Sequence, residues 1–178
     1  MKKTSKFVML SFLFLLNSLL ITPIYSQNTA IQNSDFTAIN QLWIGQLQYL
    51  NYGDDKGIVT IPCSLKTDFA KGKINSIIEF DEMDKNGKKM TSKAKFYLSK
   101  NGKYFMIDKE KWKIISTENT EKTIKIIASK KGKDNDRSAE MKITWLLEKG
   151  KSLSWKKDVR YEGTNDFFNR NNFSFSKK

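Results

Sequence analysis

The acidic run Glu79, Asp81, Glu82 and Asp84 is the first place where this chain holds residues of a type and spacing that could do chemistry. Two carboxylates on one strand face, as Glu79 and Asp81 would be, could flank a glycosidic bond and share general acid and nucleophile duties. The same segment, "EFDEMDKNGKK", imitates a calcium loop in the order Asp84, Asn86, Gly87, but the twelfth position counted from Glu82 is Lys93 and not a bidentate glutamate. It reads instead as a solvated strand running into a turn whose lysines balance the acids. "GKDNDRSAE" around Asp134 and Asp136 lacks the calcium-loop glycine and reads as a polar hairpin loop.

Other chemistries are struck out by composition. The chain has no histidine and one cysteine. Catalytic triads, Cys-His pairs and imidazole or thiolate zinc sites are therefore excluded, along with the commonest general base. Cys63 alternates with Val59, Ile61 and Leu65, which places it on an apolar strand face as a small buried hydrophobe. No catalytic residues, no metal site and no cofactor are expected, and the protein reads as a non-enzyme.

The 178 residues carry a net charge of +13, from 32 basic and 19 acidic side chains, and only three of the bases are arginine. Most of the lysines sit singly in turns such as "DKNGKK" and "SKNGK" rather than in one stripe. Specific phosphate and base recognition leans on the bidentate fork of arginine, so this pattern argues for solubility and weak attraction to polyanions, with no specific nucleic-acid partner.

The elements that must position any site begin after a targeting segment. Lys2, Lys3 and Lys6 precede an apolar run from Phe7 to Ile21, followed by Pro23 and the small Ser26. That is the pattern of a secretory signal peptide spanning residues 1–26, with Gln27 as the mature N-terminus and no transmembrane segment after cleavage. The run is shorter than the roughly 20 residues that a spanning helix needs. An exported address follows, periplasmic or extracellular. Residues 27–39 form a polar N-terminal segment containing a single weak helical stretch, Thr29–Ile39, and residues 40–178 form one domain.

From residue 40 onward, apolar residues recur with period two, and Gly, Asn, Asp or Lys closes each run within about ten residues, which is the punctuation of an all-β chain. Strands are expected near Trp43–Leu50, Val59–Lys66, Ile74–Met83, Met90–Leu98, Tyr104–Asp108, Lys111–Ser116, Thr123–Ser129, Ala139–Glu148, Ser152–Tyr161 and Phe167–Ser176. Asn86-Gly87 and Asn101-Gly102 suggest two-residue type I′ hairpins, because both residues tolerate positive φ. Pro62 cannot donate to a ladder and predicts an edge or a bulge. The expected fold is a single antiparallel meander barrel of about 8–10 strands; a two-sheet β-sandwich is the alternative.

Trp43-x-Gly45 opening the first strand, with a hairpin-rich chain of this length and a basic residue near the end, resembles the calycin superfamily of lipocalins, fatty-acid-binding proteins and avidins. The chain is also similar to uncharacterised secreted bacterial β proteins with Trp-x-Gly and Tyr in the first strand and an aromatic-Arg-Asn segment at the end. The calycin resemblance implies that Trp43 plugs the closed end of a barrel, that Gly45 lets the strand bend, and that a late arginine, Arg160 or Arg170, packs over the indole. It also implies a lipophilic ligand. Aromatic positions on shared strand faces, Tyr49, Trp145, Trp155 and Tyr161, are the candidate ligand-binding residues. The functional expectation is a secreted or periplasmic protein holding a small lipophilic ligand in its barrel. The alternative is an envelope-associated interaction protein that binds polysaccharide or another protein.

Overall fold

A computed structural model describes residues 30–51, 53 and 56–178; the predicted signal peptide and its cleavage point lie outside the described residues. Ten antiparallel strands close on themselves: β1 (Leu42–Leu50), β2 (Ile58–Ala70), β3 (Lys73–Met83), β4 (Lys89–Leu98), β5 (Tyr104–Ile107), β6 (Glu110–Asn119), β7 (Thr123–Asp134), β8 (Arg137–Glu148), β9 (Ser152–Tyr161) and β10 (Phe168–Lys177). Each strand pairs with its sequence neighbours, and β10 returns to β1, so the sheet is a meander barrel and the two-sheet sandwich is not formed. Closure removes the open edges that a flat sheet of this size would expose.

The period-two pattern is the reason the wall has an inside. On β7 and β8, Ile124, Ile126, Ala128, Met141, Ile143, Trp145 and Leu147 are buried while the residues between them are not. Three pairs of these interior positions meet across the ladder, Ile124 with Leu147, Ile126 with Trp145 and Ala128 with Ile143. The same alternation buries Cys63 and Leu65 on β2. Cys63 is a free thiol, and burial pushes its pKa up to about 11, against a weaker lowering by the backbone of Leu47.

One end of the barrel is plugged. A 3₁₀ helix from Asn33 to Ile39 inserts Phe36 and Ile39, both fully buried. The helical expectation for Thr29–Ile39 is thus met by a shorter and tighter element, and the carboxylate of Asp35 caps its start by accepting the Gln32 N–H at 2.8 Å. Polar side chains fasten the plug to three strands. The Asn33 amide oxygen accepts the Leu98 N–H at 2.9 Å, and the Asn119 amide donates to Asp35 at 3.0 Å. The Thr67 hydroxyl bonds the Ile39 carbonyl while accepting the Trp43 indole N–H at 3.0 Å. Phe36 meets Trp145 edge-on at 5.4 Å, a geometry that aromatic quadrupoles favour.

Gly45 is required by a close approach. A Cβ built there would lie 1.9 Å from the Ser174 carbonyl oxygen and 2.8 Å from the Phe175 Cα, both backbone atoms of β10. The glycine therefore lets the last strand press against the first where the barrel closes.

The turns depart from the expectation. Asn86 and Asn101 do not have positive φ, whereas Gly87 and Gly102 do, at 73° and 66°. In both turns the glycine N–H bonds the carbonyl three residues back, at 3.0 Å to Asp84 and 2.9 Å to Ser99, which is the pattern of a type I turn followed by a left-handed residue. The paired positive angles that a type I′ turn demands occur at Lys71-Gly72 and at Asn135-Asp136. Pro62 pairs with Gln46 on β1, but the β2–β3 register starts only at Cys63. The proline sits where a local edge begins, so its missing N–H leaves no gap in the ladder.

Two outcomes follow. Gly45→Ala should destabilise the fold by about 3 kcal/mol, the upper part of the overpacking range, seen as a lowered chemical-denaturation midpoint; a change below about 0.5 kcal/mol would contradict the close approach. Cys63 should react slowly with a thiol reagent at pH 8 in the native state and rapidly once unfolded, since the thiolate is the reactive species.

Candidate functional site

Away from the plug the barrel is packed except beside the β1–β10 seam, where an open cleft remains. Leu47, Tyr49, Asn171 and Phe173 line an apolar cleft of about 230 Å³. They lie on β1 and β10, where Leu47 faces Phe173 and Tyr49 faces Asn171. Trp43 and Leu47 are four residues apart on one strand, so the plug and the cleft share a wall, and a rise of about 3.3 Å per residue puts Tyr49 roughly 20 Å from Trp43. Trp155, in register with Phe173 on β9, stacks on it at 4.8 Å and forms the wall behind the cleft.

Around the same end an ionic cluster is packed inside the protein. Asp134, at the tip of β7, is 2 % exposed at its side chain and Arg170 is fully buried. Asp134 Oδ2 accepts from Arg170 Nε at 3.0 Å and from the Tyr161 hydroxyl at 3.2 Å, and Oδ1 accepts from Lys157 Nζ at 2.7 Å. Arg170 Nη2 also donates to the Tyr161 oxygen at 2.5 Å. Burial works to raise the Asp134 pKa, but the hydrogen bond and charge of Lys157, the charge of Arg170 and the Tyr161 hydroxyl together outweigh it and hold the carboxyl below its usual value of 3.8. The β9–β10 register slips between Asn169 and Asn171, and this bulge lets Arg170 and Asn171 both turn inward, where alternation back from Asn171 alone would leave Arg170 outside.

The residues singled out from the sequence fall in different places. Tyr49 lines the cleft directly and Trp155 backs it. Trp145 is fully buried against Phe36 and Phe105, at 5.4 and 6.0 Å, on the plug side. Tyr161 belongs to the ionic cluster, with the Arg137 guanidinium 3.6 Å above its ring. Trp43 is fully buried beside the plug. Arg170 makes its aromatic contact with Phe168, at 4.9 Å, and lies seven residues along β10 from Lys177, the residue that faces Trp43. Arg160 pairs with Glu140 on the outer side of the wall, across the ladder, and lines a broad rim groove of about 600 Å³ with Glu140, Gly132 and Ala139.

The acidic run does not converge on a cleft. Glu79, Asp81, Glu82 and Asp84 are all exposed; Glu79 pairs with Lys89 at 3.1 Å, and Asp84 Oδ1 accepts the Asn86 and Lys88 N–H groups at 2.8 and 2.9 Å, which shapes the turn. Those backbone bonds lower the Asp84 pKa. Among the described residues no group of three or more Cys, Asp or Glu side chains is placed to hold a metal ion.

Asp134 and Lys157 are the residues that sequence reasoning passed over. Asp134 sits in what reads as a polar loop, and Lys157 is one lysine of many in "SLSWKKDVRY". The available signal was register: Lys157 follows Leu153 and Trp155 on the inward parity, a cation on an apolar face.

No family model matches the chain, and no curated protein matches it. Its fold is similar to the crystal structure of Rv2717c from M. tuberculosis, with a TM-score of 0.51 and 8 % identity over 82 % of this chain and 96 % of that one. That likeness is one of architecture.

The ionic cluster makes a signed prediction. A carboxyl whose folded pKa is depressed contributes stability above its unfolded pKa and loses it as pH falls through the folded value. Asp134→Asn should therefore cost about 3 kcal/mol at pH 7, because it strands buried cations. The gap to wild type should narrow as pH drops below 3.8. Urea titrations at stepped pH would measure this, and a gap independent of pH would contradict it.

Proposed function

We propose that this protein is an exported, non-enzymatic binding protein that holds a small lipophilic ligand in the unplugged end of its barrel. The observation that carries this reading is the division of the interior. Aromatic and aliphatic packing fills the half beside the plug, while Leu47, Tyr49 and Phe173 leave apolar surface around a cleft of about 230 Å³ in the other half. Ligand sites are concave, mostly apolar and carry few polar groups, which here are Asn171 and the Tyr49 hydroxyl. The exported address, periplasmic or extracellular, is supported by the sequence pattern of residues 1–26. The calycin-like reading is supported by the closed meander barrel together with Trp43 and Gly45 at its start.

Titration with the neutral fluorophore N-phenyl-1-naphthylamine tests this. Saturable one-site binding is expected. Phe173→Ala should weaken it about tenfold, equivalent to ~1.4 kcal/mol, and Trp155→Phe should weaken it several-fold. Trp145→Phe should lower the melting temperature with affinity unchanged. Absence of saturable binding, or binding indifferent to Phe173 and Trp155, would overturn the reading.

A further inference from the structure

Charge is distributed unevenly around the outside of the barrel. On β10, β1 and β2 the outward residues include Asn172, Ser174, Ile44, Gln46, Gln48 and Ser64, none of them charged. On β4, β6 and β7 the outward positions carry Lys93, Lys95, Lys111, Lys113, Lys125 and Lys131, with Glu118 as the one acid among those positions. Glu110, at the rim, is taken up by Lys130 at 2.6 Å. None of the six lysines forms an ion pair among the described residues. Lys93 and Lys95, like Lys111 and Lys113, are two residues apart on one strand face, about 7 Å, so the wall holds cations close together with little to neutralise them.

The same wall exposes apolar surface. The β6–β7 register shifts between Ile114 and Ser116, and the bulged residue between them, Ile115, is 56 % exposed. Half-buried tyrosines flank the lysines: Tyr104 is in register with Lys113, and Tyr97 shares a row with Met106 and Lys111. Isoleucine, tyrosine and lysine on one face match the layers of a bilayer surface, where the apolar body enters the headgroup boundary, the phenol sits at headgroup level and the lysine stem carries its ammonium to the phosphates. A hydrated polyanionic glycan would offer nothing to Ile115. Lysine also suits lipid phosphates, because a point charge needs none of the fixed fork geometry that arginine supplies.

We propose that the β4–β7 wall docks on a bilayer surface rich in anionic phospholipid, with Ile115 entering the headgroup region and the surrounding lysines over the lipid phosphates. The proposal does not depend on the cleft. In the ring of strands β6 stands five places from β1, by way of β10, β9, β8 and β7, so the docked barrel turns its uncharged wall, and the seam with the cleft, toward solution.

Co-sedimentation with vesicles tests this, at about 0.1 M salt, where the Debye length is about 10 Å. Binding is read as the difference between equimolar phosphatidylglycerol–phosphatidylcholine vesicles and phosphatidylcholine alone. Preference for the anionic vesicles is expected. Lys111→Glu with Lys113→Glu should weaken it at least about tenfold. Lys66→Glu with Lys156→Glu, the same change in net charge placed on β2 and β9, should weaken it far less. Ile115→Ser should weaken it about threefold with the melting temperature unchanged. Equal losses from the two double variants, or an Ile115→Ser protein that binds like wild type, would overturn the proposal. Capture on dextran sulfate beads without binding to the vesicles would also overturn it and assign the wall to a polyanionic glycan. Should the Lys111 and Lys113 double variant not fold, acetylation of wild type on the vesicles decides: Lys111 and Lys113 should be protected relative to Lys66 and Lys156, and uniform labelling would overturn the proposal.

Discussion

The pairing of β1 with β10 is the constraint on which the rest of the structure depends, because it alone turns a ten-strand meander into a closed wall with an inside. Gly45 makes it possible by omitting the Cβ that would collide with the backbone of Ser174 and Phe175. The residues spaced along that seam then have different tasks. Trp43, near the plug, is fixed through Thr67 to the last turn of the N-terminal helix. Leu47 and Tyr49, further along, face Phe173 and Asn171 and line the cleft. One seam thus carries a packed floor at one end and an apolar mouth at the other.

The two ends differ in how they satisfy their polar groups. At the plugged end, short neutral side chains hold the helix: Asn33 bonds the Leu98 backbone, Asn119 bonds the Asp35 carboxylate and Thr67 bonds the Ile39 carbonyl, a low-cost way to satisfy buried groups. At the other end the buried groups are charged, and Asp134 gathers Lys157, Arg170 and Tyr161. Desolvating such ions costs several kcal/mol apiece, so a cluster of this kind contributes less to net stability than its distances suggest. It fixes where the tip of the β7–β8 hairpin sits relative to β9 and β10.

Much of this was legible in the residues. Period-two alternation located every strand, with Ser152–Tyr161 at its observed bounds, and Trp43 and Gly45 marked the start of the barrel. Alternation also misjudged the ends of strands. β7 runs on to Asp134 and β2 to Ala70, because pairing continues through charged residues that local pattern reads as loop. A one-residue slip puts Arg170 and Asn171 on the inside together, and such a slip reverses the inside-outside assignment between the two halves of its strand. Asn86-Gly87 and Asn101-Gly102 carry the composition of a type I′ turn, yet side chains of Asp84 and Asn101 bond nearby backbone N–H groups and stabilise a longer turn. Whether the interior would be full or hollow was beyond pattern, since it depends on how summed side-chain volumes compare with the space that a given strand number encloses.

The seam also sets the order in which the molecule can assemble. Ser176 reaches back to the Ile44 carbonyl across 132 positions of sequence, a contact of very long range, and such contacts are the slow ones to form because the loop they close must be ordered first. Hairpins from β2 to β9 can zip locally, but the wall has no inside until the final ten residues arrive. A chain cut before Phe168 would keep nine strands and leave both β1 and β9 as bare edges, free to pair with another copy. The last stretch of the polypeptide is therefore the clasp that separates a closed barrel from a sticky open sheet.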